Sequence, residues 1–274
     1  MSAIEQPEET TSDGLVDMAA QLALMLAHST PMPMRPQDEH LLDGLEGFRF
    51  GPDKSRLAWS AGKGPLVLMV HGYGGRGVQM AGLARFLSEQ GYRSVFFDAG
   101  GHGDSRPERV GFHTFINDVR DLTRAVDEPV HAWIGHSAGG LAMMRARKLY
   151  RVRAERYVCI STPLYPYVPL DSFRMQAGAD EETLQFVKPI LAEQFQTTWT
   201  GLTAGESYLP EDDAELLAIY DRDDKKVHHE DADRLAELWP GASVMKTDTY
   251  GHNRILQSPE VWERVGVFLR PPAE

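Results

Sequence analysis

Gly135-His136-Ser137-Ala138-Gly139 follows the apolar stretch His131-Ala132-Trp133-Ile134 and opens a helical pattern that runs from Leu141 to Leu149. A strand that turns abruptly into a helix around a serine reads as a nucleophile elbow. The serine at such a bend takes an unfavourable backbone conformation, and the flanking chain passes close to its neighbours. Both demands call for small residues, which Gly135 and Gly139 supply. The bend directs the Ser137 hydroxyl into open space above the sheet. It also sets the amide of Ala138 at a helix N-terminus, where backbone dipoles concentrate positive charge. That amide is half of an oxyanion hole.

The second half is read further upstream. Leu66-Val67-Leu68-Met69-Val70 is a short continuous apolar run, the pattern of a strand buried on both faces of a parallel sheet, and it ends at His71-Gly72-Tyr73-Gly74-Gly75. Gly72 and Gly74 allow backbone N–H groups to face a ligand, and the amide of Tyr73 is the expected second donor. A serine hydroxyl is a poor nucleophile at neutral pH without a base, so an acid and a histidine are expected at later strand ends. Leu216 to Tyr220 reads as a buried strand running into Asp221-Arg222-Asp223-Asp224-Lys225-Lys226-Val227. Ala242-Ser243-Val244-Met245 reads as another, followed by Thr249-Tyr250-Gly251-His252-Asn253, which makes His252 the candidate general base.

From about residue 57 onward the chain resembles the α/β-hydrolase superfamily in its serine esterase and lipase-like branch, on His71-Gly72, the elbow, Asp224 and Gly251-His252. The resemblance implies an α/β-hydrolase fold, a mainly parallel sheet with helices on both faces and a small helical cap. It implies cleavage of a carboxylic ester or thioester through an acyl-enzyme on Ser137, with His252 as base and Asp224 as acid. No metal and no cofactor are expected. In the family, the turn after the acid-bearing strand runs glycine, two variable residues, then aspartate; here Asp221 stands at the glycine position and Asp224 at the acid. Asp223 and Asp221 stay open as alternative acids, or as side chains that bond loop amides. Phe96 to Ser105 resembles the family's glycine-rich turn after the neighbouring strand, with a structural role. Other classes on the same fold are a catalytically silent binding protein, an acyltransferase and a carbon–carbon bond hydrolase. Ser137 argues against an aspartate-nucleophile dehalogenase.

Composition sets the outer bounds. A chain of 274 residues can bury a large core, and the balance of 28 basic against 40 acidic residues gives a formal net charge of −12. Phosphate backbones and anionic membranes would repel it, so a small-molecule substrate with a neutral or apolar acyl group fits better. The single Cys159 sits in an apolar run and allows no internal disulfide, which is compatible with a reducing, cytoplasmic setting. Glu5, Glu8, Glu9 and Asp13 are acidic where a secretory signal would be basic. Leu15 to Ala27 is too short and too interrupted, by Asp17 and Gln21, to span a bilayer. It reads as a helix with a wide apolar face that packs on the domain's own surface, contacts another subunit or forms a flap over the site mouth. The oligomeric state is not legible.

The domain plan is an N-terminal helix and a linker marked by Pro31, Pro33 and Pro36 (residues 1–37), a hydrolase core (38–163 and 214–274) and a cap insertion (164–213). Leading strands are expected at Gly47 to Phe50 and Leu57 to Ser60. Strands and helices then alternate through Val67 to Val70, Val78 to Ser88, Ser94 to Asp98, Phe115 to Ala125, Ala132 to Gly135 and Leu141 to Leu149. In the insertion, Asp180, Glu181 and Glu182 suit a helix start, Leu184, Val187 and Leu191 repeat at helical spacing, and Pro189 should kink or restart that helix. Tyr165, Tyr167, Phe173, Met175, Phe186, Phe195 and Trp199 are cap core or acyl-pocket walls. His228-His229-Glu230-Asp231 reads as a solvated first helical turn rather than a metal site, His71 and His102 as local packing groups, and Arg76 as a loop anchor or a contact for a substrate carboxylate. His136 is near Ser137 in sequence but is directed away from its hydroxyl.

Overall fold

A computed structural model describes residues 12–27, 32–107 and 109–270; Glu5, Glu8, Glu9 and Pro31 lie outside the described residues. The eight strands are β1 (Glu46–Phe50), β2 (Arg56–Ala61), β3 (Leu66–Val70), β4 (Arg93–Asp98), β5 (Val130–His136), β6 (Arg156–Ile160), β7 (Glu215–Asp221) and β8 (Ser243–Thr247). They form one sheet in the order β1-β2-β4-β3-β5-β6-β7-β8. β2 is antiparallel to both β1 and β4, and every pairing from β4 through β3 to β8 is parallel. Parallel pairing requires crossovers, and helices supply them.

The helices are α1 (Ser12–Ala27), α2 (Pro36–Glu39), α3 (Ala81–Glu89), α4 (Phe112–Val126), α5 (Ala138–Tyr150), α6 (Tyr167–Ala177), α7 (Glu181–Gln194), α8 (Trp199–Thr203), α9 (Asp231–Leu238), α10 (Gly251–Arg254) and α11 (Pro259–Leu269). Strand side chains alternate between two cores, as the pleat requires. Leu68 and Val70 join Phe115 and Val119 of α4 and Leu141 of α5 on one face. Val67 and Met69 join Leu83 and Leu87 of α3 and Val261 and Val265 of α11 on the other. Leu66 to Val70 is buried throughout for that reason.

Three local expectations are corrected. The helix expected from Val78 begins as a 3₁₀ turn, Gly77–Met80, before α3 takes over. α7 runs through Pro189 as one element, because Leu184, Val187 and Leu191 all pack into a single cluster with Ala19 and Leu22 of α1 and Leu170 and Phe173 of α6. α1 therefore covers the helices inserted between β6 and β7. Asp231 is buried rather than solvated: it accepts hydrogen bonds from the Tyr167 hydroxyl (2.7 Å) and the Leu164 amide (3.1 Å). It lies one turn before the buried Leu235, on the apolar side of α9. Cys159 is a buried core residue, its thiol pushed up to about 12 by burial. Among the described residues no helix is long and apolar enough to cross a membrane.

Candidate active site

Parallel strands deliver their C-terminal ends to one edge of the sheet, and the loops after β3, β5, β7 and β8 carry the candidate residues. Ser137 sits between β5 and α5 at φ 52° and ψ −128°, a conformation that L-residues rarely adopt. Its amide is tied to the Ile160 carbonyl of β6 (3.0 Å), so the bend is over-determined by the sheet. A Cβ at Gly135 would lie 2.4 Å from Gly140 Cα, and one at Gly139 would lie 2.1 Å from the His71 carbonyl oxygen. Both obstacles are backbone and cannot swing aside. Gly135→Ala or Gly139→Ala should therefore lower the free energy of unfolding by about 1–3 kcal/mol, read from urea denaturation midpoints at unchanged m. Wild-type midpoints would refute the close approach.

The loop after β3 abuts the serine: a Cβ at Gly72 would lie 3.0 Å from Ser137 Cβ, and Gly74 takes φ +72°. Two imidazoles hold this loop. His71 Nε2 accepts from the Ala99 amide (3.0 Å), so its Nδ1 carries the proton and donates to the Gly72 carbonyl (2.7 Å). His102 accepts from the Gly74 amide (3.0 Å) and donates to Gly100 (2.9 Å) in the same way. Burial pushes both rings below the usual imidazole range, which keeps them in this neutral, one-donor, one-acceptor state. Arg76 is an anchor: its guanidinium meets Asp104 (2.5 Å), the Met32 carbonyl (3.2 Å) and Asp98 (3.8 Å). Asp98, at the end of β4, accepts from the amides of Gly77 and Asp104, both at 2.6 Å. Tyr73 follows Gly72, whose backbone abuts Ser137, and Ala138 follows the serine as the first residue of α5; these carry the two predicted donor amides.

The structure brings Ser137, His252 and Asp224 into one hydrogen-bonded chain. His252 Nδ1 is 2.8 Å from Asp224 Oδ2, and its Nε2 is 3.0 Å from Ser137 Oγ. Burial alone would raise the Asp224 carboxyl, but the hydrogen bond and attraction of the His252 ring and the amides of Val227 and Lys226 outweigh it. They hold the carboxyl below its ordinary value. A carboxylate only accepts, so Nδ1 of His252 carries the proton and Nε2 is left to accept from the serine hydroxyl. His136 stands apart from the hydroxyl: its Nε2 donates to the His252 carbonyl (2.8 Å), and its ring lies 4.8 Å from that of His252. Burial, with the neighbouring His252 ring, pushes it down to about 3, so it remains neutral.

The other two aspartates bond loop amides. Asp221 accepts from the amides of Asp223, Tyr250 and Gly251, and Asp223 accepts from the Thr249 amide (3.1 Å). Sequence reading misses two buried arginines that fasten the β6–β7 insertion to α5. Arg145 donates to the Phe195 and Gln196 carbonyls and to Glu206, and Arg147 to Leu209 and Asp212. Their position is a usable signal, since Arg145 and Arg147 follow directly on the apolar and small run Ala138 to Met144 of the same helix. Tyr165, Tyr167 and Trp199 line a cavity of about 190 Å³ together with Leu170, His228 and the charged Asp171, Arg174 and Lys188, whereas Phe195 belongs to the core and Met175 is 86% exposed. Among the described residues no group of three or more His, Cys, Asp or Glu side chains is placed to hold a metal ion.

Comparison with known proteins agrees with this architecture. The family described as serine aminopeptidase, S33, matches residues 63–252, more than half of the chain. Epoxide hydrolase 1 of Siraitia grosvenorii is 31% identical over 144 residues, 49% of this chain and 45% of that protein. Non-heme chloroperoxidase CPO-A1 of Kitasatospora aureofaciens is 33% identical over 138 residues, 49% of this chain and 50% of that one. The chain thus spans about half the length of these curated relatives. A thermophilic esterase from Thermogutta terrifontis superposes with a TM-score of 0.60 at 17% identity, covering 82% of this chain and 98% of its own, a likeness of fold. The match across the sheet, the elbow and His252 makes this chain a member of the serine aminopeptidase S33 family within the α/β-hydrolase superfamily.

Proposed function

We propose that this protein is a serine hydrolase that cleaves a carboxylic ester or thioester through a covalent acyl-enzyme. The observation that carries the proposal is the unbroken chain Ser137 Oγ, His252 Nε2, His252 Nδ1, Asp224 Oδ2, with links of 3.0 and 2.8 Å. Such links are short enough for proton transfer without rearrangement. Ser137 Oγ bonds to the substrate carbonyl carbon while its proton passes to His252 Nε2, and Asp224 stabilises the imidazolium that forms. The amides of Tyr73 and Ala138 receive the charge on the carbonyl oxygen. His252 then protonates the departing alcohol or thiol. Water attacks the acyl-serine, gives its proton to Nε2, and the serine oxygen leaves with that proton as the acid departs.

Ser137 favours this reading over opening of an epoxide by an enzyme carboxylate, since the elbow presents a hydroxyl and the nearby carboxylates are committed to amides and to the imidazole. The insertion between β6 and β7 is read as a cap, with its aromatic side chains Tyr165, Tyr167 and Trp199 as candidate walls of the acyl pocket. The net charge of −12 and the single buried cysteine fit a cytoplasmic enzyme with a neutral or apolar substrate. Labelling with a fluorophosphonate, followed by peptide mapping, tests the nucleophile directly. The adduct is expected on the peptide containing Ser137 and on no other; folded wild-type protein that stays unlabelled, or is labelled elsewhere, overturns the proposal.

A further inference from the structure

The resemblance to the family places a glycine where this chain has Asp221, and the structure gives that carboxylate four hydrogen bonds. It is fully buried at the C-terminal end of β7. Oδ1 accepts from the amides of Asp223 (2.9 Å) and Gly251 (2.9 Å); Oδ2 accepts from the Thr247 hydroxyl (2.8 Å) and the Tyr250 amide (3.1 Å). Two of these donors immediately precede His252 on the other strand's loop. One lies in the turn that delivers Asp224.

The histidine loop is not relaxed on its own. Thr249 takes φ 78° and Gly251 φ 65°, so two of the three residues before His252 are left-handed, one of them a β-branched side chain that pays for that conformation. Hydrogen bonds from amides to an ionised carboxylate are stronger than those between neutral groups, and they offset the strain. Asp223 adds a second clamp at the Thr249 amide. Together the two aspartates draw three successive amides, of residues 249, 250 and 251, toward the loop that bears Asp224. These bonds also hold the Asp221 carboxyl charged: burial would raise it, but the Gly251 amide, the Thr247 hydroxyl and the Tyr250 and Asp223 amides bring it below its ordinary value.

Building on the hydrolase reading above, we propose that Asp221 is a positioning residue that staples the loop of the acid to the loop of the base, fixing the His252 ring between Asp224 and Ser137. It touches neither substrate nor the transferred proton. Its loss would let the imidazole shift relative to Oγ, and a displacement of about 1 Å at a reacting group costs on the order of 10²-fold in rate.

Asp221→Asn turns an amino group toward amide donors, and Asp221→Gly restores the residue that the family carries, with no added bulk. Each variant is compared with wild type by thermal melting and near-UV circular dichroism, by kcat and KM on a nitrophenyl ester, and by the proton resonance of the His252 Nδ1–H. In the folded variants kcat should fall about 10- to 100-fold with KM within about twofold. The downfield Nδ1–H signal should broaden or vanish. A folded variant with wild-type kcat and an intact signal overturns the staple. So does failure of both variants to fold, or a kcat loss no larger than the loss of folded protein, because either result assigns Asp221 to stability alone. Failure of the hydrolase reading would show separately, as wild-type protein that fluorophosphonate does not label, and the Nδ1–H signal would still report on the ring.

Discussion

Ser137→Ala and His252→Ala should each lower turnover by about 10⁶-fold, and the double variant should be no worse than either alone. The equality comes from the geometry. The Ser137 hydroxyl is 3.0 Å from Nε2, so its nucleophilicity depends on a base in contact with it, and a base without that hydroxyl has no proton to take. Residual catalysis would come from the amides of Tyr73 and Ala138, which both substitutions leave in place. The fold should tolerate Ser137→Ala, because alanine removes one oxygen and the φ of 52° is imposed by the Ile160 carbonyl and the close-packed glycines. Single-turnover rates on an activated ester, with circular dichroism as the control for folding, measure the effect. Turnover retained within about 100-fold in Ser137→Ala would place the nucleophile elsewhere.

Much of this site is legible in the sequence because strand ends announce themselves. A continuous apolar run such as Leu66 to Val70 has few structural solutions, and the loop at its C-terminal end must lie at the sheet's carboxyl edge. Ser137, His252 and the Asp221–Asp224 run are placed by that logic. The assignment among the three aspartates is not, since residues in a tight turn face different ways and periodicity carries no information about which one meets a ring from a distant loop. Asp231 is misread for a related reason: its polarity suggests solvent, but its burial depends on Tyr167, which is remote in sequence. The partners of Arg145 and Arg147, around residues 195–212, lie across the insertion and are invisible to local patterning.

The Asp223 and Asp224 substitutions should separate by orders of magnitude, although the residues are adjacent. Asp224→Asn is expected to lower kcat by about 10⁴-fold. The amide that replaces Oδ2 or Oδ1 can donate to the imidazole, which favours the tautomer with its proton on Nε2, where the serine hydroxyl then has no acceptor. The carboxylate also loses its attraction for the imidazolium that forms during attack, an interaction made strong because the Asp224 side chain is only 1% exposed. Asp223→Asn keeps a carbonyl oxygen that can still accept from the Thr249 amide, and the residue is exposed, so its kcat should stay within about fivefold of wild type. Measured side by side on one ester, the two variants discriminate by rank order alone. Near-full activity in Asp224→Asn with a collapse in Asp223→Asn would reassign the acid, and the hydrogen bond of 2.8 Å to Nδ1 would then be a resting contact broken when substrate binds.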